Sequence, residues 1–483
     1  MELLSIYWSR QLYTAQIVYR PVFMRDMACG GPYFSKLLLN AIYFGASKHC
    51  RRPEILADPN DMSTTGLRFR RRFSDLLRSS FDKSEITTIQ ALLIVSNGLF
   101  SSYDERSLSW LYAGNAFNMI IDLGLHVQPL NSEVPPEALE VRRRVVWGAY
   151  FIDKVQCLLQ GRPPLLRQAD FKTPLKILDK YDELDMFNGI GYIPLGGPPP
   201  MPCLNVTLLT KLCELSTIIE TIMVDLYAES NRDTRPSQNM NVLQRIQADL
   251  FEWRRSLPPE VDYLTSGRKD AVMLPQSLTL LALYNALIIL AQRPLITDTY
   301  CSSSLAHESM TTSTSAANQI LRIVHDYSSR YSIGSSPYLL SYSTYISATI
   351  HALVVAQKGQ ESSSSQSLAF CMSVLRDQLP LYAAAGKAQE NLGKLMMHLG
   401  ISADDSVKPD SSDGQTPGQK AADAPDIISA QVGVADGTEL REAGADFDDF
   451  PQSSWEFSDL DMDALSQLFF GDRDLQSLMH PMG

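Results

Sequence analysis

The sequence predicts an all-α protein with a large multi-helix regulatory body and a disordered acidic C-terminal tail, and three observations lead to this prediction. Large apolar side chains recur every three or four residues through most of the first 400 positions, which is the period of a buried helix face. Glycine and proline stand where many of these periodic stretches end. From residue 401 to 445 large apolar side chains are scarce, so this stretch cannot offset the entropy lost on ordering.

The strongest helical pattern lies between residues 141 and 160. One largely buried helix is predicted by residues at helical spacing, all but Gln156 of them apolar or aromatic: Val141, Val145, Trp147, Ala149, Tyr150, Phe151, Ile152 and Gln156. Gly161 and the prolines after it should end the helix. Asp153 interrupts the apolar face, and a buried carboxylate needs a partner. We expect a structural ion pair with Arg162 or an arginine of 142–144; the alternative is a ligand-sensing or catalytic acid.

The preceding stretch predicts a second buried helix, so the two should form a helical hairpin at the core. Ser107 is the expected cap of a helix that runs from Trp110 to Leu123, and Gly124 should end it.

The rest of the body contains further periodic stretches. They predict helices on both sides of a loop at 29–32, and at 66–77, 86–99, 204–230, 242–257, 278–292, 316–327, 341–357, 368–379 and 388–399. We expect the Gly- and Pro-rich segment 188–203 to be a long loop between two helical halves, and the Ser/Thr-rich segment 302–315 to begin as a loop. The arginines of 66–77 predict a solvated basic face; a nuclear-import or nucleic-acid patch is the alternative.

Four motifs occur in an order that resembles the middle homology region of fungal binuclear zinc-cluster transcription factors. They are the opening segment Leu3–Ala46, the helix Trp110–His126 ending Leu-Gly-Leu-His, the segment with Trp147, Asp153, Gly161, Arg162 and Pro163, and Leu280–Leu295 ending Gln-Arg-Pro-Leu. The resemblance covers roughly residues 1–400 and gives the five residues of the third motif a structural role.

The resemblance implies a nuclear regulator, and an activator, of RNA polymerase II transcription for a fungal metabolic pathway. It also implies gating by a small-molecule effector or a binding partner, and a homodimer. Transcriptional coactivators are the partners expected from the acidic-aromatic composition of the C-terminal tail. The family contacts DNA through a six-cysteine cluster that holds two zinc ions, N-terminal to the middle region. The seven cysteines here are scattered without a Cys-x-x-Cys, so we expect no cofactor in this chain and zinc only if an upstream cluster exists. DNA would then be reached through that missing cluster or through a partner protein. The alternative is a cluster-less interaction scaffold or co-regulator.

The C-terminal residues carry most of the negative charge. Residues 401–483 contain 18 acidic and 4 basic residues, a net charge of −14, whereas the whole chain has −12, so the body carries +2 (−12 minus −14). We divide the chain into a regulatory body (1–400), a disordered linker (401–445) and an acidic-aromatic activation segment (446–483). The activation segment alternates acids with large apolar side chains, a composition typical of activation domains: Phe447, Phe450, Trp455, Phe457, Leu460, Met462, Leu465, Leu468 and Phe469. A plain solubilising tail, or a segment that docks on its own body, is the alternative.

Enzyme and membrane functions find little support in the sequence. The chain lacks Gly-x-Ser-x-Gly, His-Glu-x-x-His and phosphate-loop motifs, so we expect no enzyme. The acidic cluster Asp179–Asp185 is the one feature that favours a rival, a metal-dependent helical enzyme. The longest apolar run, Leu278–Ala291, is too short to span a bilayer, and the residues after Met1 do not resemble a signal peptide.

Overall fold

The computed structural model describes the regulatory body and confirms the all-α prediction. The described residues are 2–50, 52–58, 61, 64–100, 105–128, 134–178, 180–197, 200–227, 240–262, 273–297, 303–359 and 362–401. They form fifteen α-helices and, within these ranges, no β-strand. Apart from Ile401, the predicted linker and activation segment lie outside the described residues.

The helices follow one another along the whole body. They are α1 Glu2–Arg10, α2 Arg20–Cys29, α3 Lys36–Ser47, α4 Leu67–Leu77, α5 Ile86–Phe100, α6 Arg106–Asp122, α7 Pro136–Gln160, α8 Lys180–Leu184, α9 Asn205–Thr221, α10 Met240–Arg255, α11 Pro275–Thr297, α12 Ser303–Arg330, α13 Tyr338–Lys358, α14 Ser363–Gln378 and α15 Ala383–His398.

Helix α7 lies at the centre of the N-terminal half, as its pattern predicted. Every residue from Arg144 to Gln160 is buried, and α5, α6 and α9 pack against the helix. Gly161 ends it in the left-handed conformation (φ 62°), and its N–H donates to the Cys157 carbonyl at 2.8 Å. A side chain at this φ would be strained, which explains the glycine.

Helix α6 begins earlier than predicted. Its first residue is Arg106, which is buried. Ser107 therefore lies inside the helix and not at its N-cap, so the capping prediction is wrong. Gly124 adopts φ 60°, and the Leu125 N–H donates to the Ile120 carbonyl at 2.9 Å. The predicted C-terminal end is therefore confirmed.

The prediction that the Ser/Thr-rich segment 302–315 begins as a loop is also wrong, because α12 already begins at Ser303. The Thr311 and Thr314 hydroxyls donate to carbonyls four residues earlier, at 2.9 and 2.8 Å. Such bonds let hydroxyl side chains remain in a helix. Ser309 and Ser313 are buried, and α12 packs closely against α11. Small side chains at this interface allow the close approach that favours the helix over a loop.

The segment 188–203 is irregular where it is described, as predicted, and it connects the two halves. The Leu195 N–H donates to the Arg330 carbonyl at 2.8 Å, and Arg10 Nη1 donates to the Gly191 carbonyl at 3.0 Å. Tyr192, in the same segment, is fully buried. The two helical halves therefore share one interface instead of forming independent domains.

Helix α4 has the predicted amphipathic character. Phe73 and Leu77 are buried, while Arg71 and Arg72 are exposed. Arg70 forms an ion pair with Glu105.

Two helices are long and apolar enough to cross a membrane, Pro275–Ile296 and Tyr338–Lys358. The first is longer than the apolar run in the sequence indicated. However, 83% and 89% of their most apolar windows are buried inside the bundle, as in the core helices of a soluble protein.

Candidate regulatory site

A buried charge cluster surrounds the motif residue Asp153. Lys154 Nζ lies 2.8 Å from Asp153 Oδ2 and 3.1 Å from Glu220 Oε2, and it is fully buried. The backbone N–H groups of Leu165 and Leu166 also donate to Asp153, at 3.2 and 3.0 Å. The ion pair is therefore present, but the partner is Lys154, which the prediction did not include. Helical periodicity places the side chains of adjacent residues about 100° apart, so it does not suggest a pair between neighbours. Here the side chains of Asp153 and Lys154 both contact Leu165 or Leu166 in the loop after α7.

Glu220 completes this cluster from α9. Its carboxylate accepts from the Tyr150 hydroxyl at 2.8 Å and from Arg167 Nε at 3.2 Å. Burial alone would raise the pKa of the Glu220 carboxyl. Lys154 and the hydrogen bonds from the Tyr150 hydroxyl and the Gln168 backbone N–H outweigh burial and lower this pKa below its usual value. The cluster therefore joins α7, α9 and the loop after α7, and a structural role for Asp153 stays a prediction.

The other motif residues surround the end of α7. Trp147 Nε1 donates to the Thr173 carbonyl at 3.2 Å. Arg162 lies over the Trp110 ring, 4.7 Å from its centroid, and thereby connects the loop to α6. Pro163 is exposed and lies two residues after Gly161. The structural role expected for these motif residues stays a prediction.

Two of the arginines proposed as Asp153 partners lie elsewhere. Arg144 is fully buried and pairs with Glu140 at 2.9 Å and Asp182 at 3.0 Å. Arg142 donates to the Leu125 carbonyl at 3.0 Å. Both contacts fix the segments that follow α6 and α7.

The acidic cluster 179–185 has structural partners as well. Asp182 pairs with Arg144, and Asp185 pairs with Arg20 at 2.9 Å. Glu183 accepts from the Val206 and Thr207 N–H groups at 2.9 and 3.0 Å, so it caps the N-terminus of α9. Asp179 lies outside the described residues. Within the described ranges no group of three His, Cys, Asp or Glu side chains could hold a metal ion.

A cavity of about 110 Å³ lies between the two halves. Helices α1, α3, α5 and α7 form most of its wall, and the start of α13 and Tyr382 close it. Ile94, Phe151 and Val155 supply apolar surface. Three basic side chains, Arg10, Lys48 and His49, line the same space.

The basic groups of this cavity are held in different ways. Arg10 is buried, donates to the Ser335 carbonyl at 3.1 Å and lies 4.4 Å from the Tyr192 ring centroid. Lys48 Nζ donates to the Gly98 carbonyl at 2.5 Å, and burial lowers the pKa of its amino group to about 8. Burial, with Arg10 and Lys48 nearby, lowers the pKa of His49 well below its usual value. The cavity therefore has an apolar wall and a concentrated positive potential.

Sequence reasoning missed this cavity. Its residues come from positions 6 to 382, which no local pattern connects. The available signal was the placement of Arg10 and Lys48-His49 directly at the ends of apolar helices. All nine residues named for the activation segment lie outside the described residues.

Comparison with known proteins identifies a family that matches the N-terminal half of the chain. Residues 4–255, more than half of the chain, match the model of the fungal specific transcription factor domain. No solved structure matches the fold.

Several curated relatives share this region. An uncharacterized transcriptional regulatory protein of Schizosaccharomyces pombe is 28% identical over 61% of this chain and 47% of its own length. The nitrogen assimilation transcription factor nirA of Emericella nidulans is 24% identical over 74% of this chain and 41% of its own. The activatory protein CHA4 of Saccharomyces cerevisiae is 29% identical over 39% and 28%. The chain thus spans less than half the length of these three relatives, and by its family match over residues 4–255 it belongs to the fungal specific transcription factor domain family.

Proposed function

We propose that this chain is a transcriptional regulator, and an activator, of a fungal metabolic pathway. The family match over residues 4–255 carries the proposal, and the relatives described as transcriptional regulators support it. The helical body is the regulatory part. Its role is non-catalytic, and its place of action is the nucleus, for which the exposed arginines of α4 offer an import signal.

We infer that activation depends on residues 446–483. Repulsion and hydration of the carboxylates keep the aromatic side chains accessible. A coactivator groove can then bind these side chains while a helix forms, with Ser458 as its cap and Met462, Leu465 and Phe469 on one face.

Fusing Val434–Gly483 to a foreign DNA-binding module tests this mechanism, and a reporter gene is the readout. The fusion should activate, and alanine substitution of Phe447, Phe450, Trp455, Phe457, Leu465 and Phe469 should abolish the signal. A matched control replaces six polar residues of the same segment by alanine: Gln452, Ser453, Ser454, Ser466, Gln467 and Ser477. Activity that survives loss of the aromatic side chains would refute capture by a groove, and a silent fusion that is present at normal levels would favour the interaction scaffold.

We further propose that DNA is contacted through a six-cysteine zinc cluster upstream of this region or through a partner protein. Mapping the 5′ end of the native transcript separates the two. An in-frame upstream cluster gives the protein its own DNA-binding domain, whereas translation from Met1 requires a partner. A homodimer is part of the same proposal.

A further inference from the structure

The cavity between α1, α3, α5, α7 and the start of α13 has the features of a ligand site. We propose that it binds a small carboxylate, with the carboxylate group at Lys48 and His49 and the carbon chain against Phe151 and Val155. This inference concerns binding alone and goes beyond the proposed function.

The first argument is charge. Three basic side chains line the cavity, and its lining residues include no aspartate or glutamate. The nearest acidic influence on Lys48 comes from Glu105, whose carboxylate already pairs with Arg70. A bound anion would therefore meet an excess of positive charge.

The second argument is the protonation and hydrogen bonding of His49 beside Arg10 and Lys48. Burial, Arg10 and Lys48 all lower the pKa of His49, so a positive charge on its ring is disfavoured beside these two cations. Nδ1 of His49 has no hydrogen-bond partner among the described residues. A carboxylate would offset the positive charge of Arg10 and Lys48 and accept a hydrogen bond from this nitrogen when the nitrogen carries a proton.

The third argument is size and surface. A cavity of about 150 Å³ lined by apolar side chains is known to hold benzene, which has six non-hydrogen atoms. The present cavity, at about 110 Å³, suits about four or five such atoms. Phe151 and Val155 favour a carbon chain over a fully hydrated inorganic anion. Propionate, with five non-hydrogen atoms, is a suitable probe.

Isothermal titration calorimetry on the full chain at pH 7 tests the proposal with three probes. Propionate should bind about tenfold or more tightly than propionamide, which has the same shape without the charge. Inorganic phosphate should bind more weakly than propionate because it gains nothing from the apolar wall. Equal binding of propionate and propionamide, stronger binding of phosphate, or no binding of propionate would overturn the proposal.

Two variants locate the site. Lys48→Met should weaken propionate binding about tenfold, because a charge-assisted contact is lost. The matched control Lys358→Met changes an exposed lysine far along the chain and should leave binding unchanged. Val155→Phe should block binding by filling the cavity while Arg10, Lys48 and His49 all remain, so it tests the site independently of Lys48. Unchanged binding in a folded Lys48→Met or Val155→Phe protein would contradict the assignment.

The pH dependence gives a third readout. The charged and titratable groups around Lys48 are Arg10, His49, Arg70, Glu105 and four lining tyrosines. His49 is already neutral at pH 7 because its pKa is lowered. Between pH 7 and 9 Lys48 loses its proton, since its pKa is about 8. Propionate binding should therefore weaken about tenfold over this interval, and binding that is constant from pH 7 to 9 would exclude Lys48 as the contact.

Discussion

Replacing Lys154 by methionine removes the cation that two buried carboxylates share. The side chain of Lys154 is fully buried, and those of Asp153 and Glu220 are 3% and 12% exposed. Methionine retains most of the length and apolar surface of the lysine. The substitution therefore leaves two negative groups close together in the interior with no buried ammonium group between them.

The expected loss follows from the partners that remain. Removing one member of a buried ion pair costs about 3–5 kcal/mol of unfolding free energy. Asp153 keeps its hydrogen bonds from Leu165 and Leu166, and Glu220 keeps the Tyr150 hydroxyl. We therefore expect the lower end of that range, about 3 kcal/mol at pH 7.

The pH dependence distinguishes an electrostatic loss from a packing loss. In the native protein the pKa of Glu220 is lowered, so its stabilisation is present at neutral pH and is lost as the pH falls through the acidic range. Without Lys154, burial favours the protonated carboxyl, and acid relieves the strain in the variant. The difference in unfolding free energy between the native protein and Lys154→Met should therefore become smaller from pH 7 to pH 5.

Urea unfolding of the full chain, followed by far-UV circular dichroism at both pH values, measures this difference. Lys358→Met changes an exposed lysine and should alter stability by no more than about 0.5 kcal/mol. A loss below about 1 kcal/mol at pH 7 in Lys154→Met, or a loss that grows toward pH 5, would refute the assigned role of the cluster.

Two further predictions concern packing and helix ends, and thermal or urea unfolding checks both. Gly148→Ala would place a Cβ 2.2 Å from Ile17 Cγ2, so we expect the free energy of unfolding to fall by about 1–3 kcal/mol. Gly393→Ala, where the new Cβ would have no atom within 4 Å, should leave stability unchanged or raise it. Equal effects of the two substitutions would contradict the tight packing of α7. Glu183→Ala removes the cap of α9 and should cost about 1 kcal/mol, and an unchanged unfolding midpoint would show that solvent replaces the cap.

Local patterns in the sequence were sufficient for most of the helices. The three- to four-residue period found α7, and Gly161 and Gly124 correctly predicted two helix ends, because only glycine adopts a positive φ without strain. The pattern failed at Ser303–Ser315, where hydroxyl bonds to the preceding turn and close contact with α11 outweigh low helix propensity.

Tertiary features needed the structure. The Asp153 partner was missed because Lys154 is its immediate neighbour, and helical spacing directs attention to residues three or four apart. The cavity joins Lys48 with Tyr382, which are separated by most of the body. No period or motif relates such positions, so the candidate ligand site was beyond sequence reasoning.

Tethering the full chain to a promoter tests the central claim, transcriptional regulation, most directly. The chain is fused to a foreign DNA-binding module, its occupancy at the binding site is confirmed by chromatin immunoprecipitation, and the reporter transcript is quantified. We predict that the transcript rises and that the six-residue aromatic-to-alanine variant returns it to the level of the module alone. An occupied site with an unchanged transcript would contradict the regulatory role and leave the chain as an interaction scaffold.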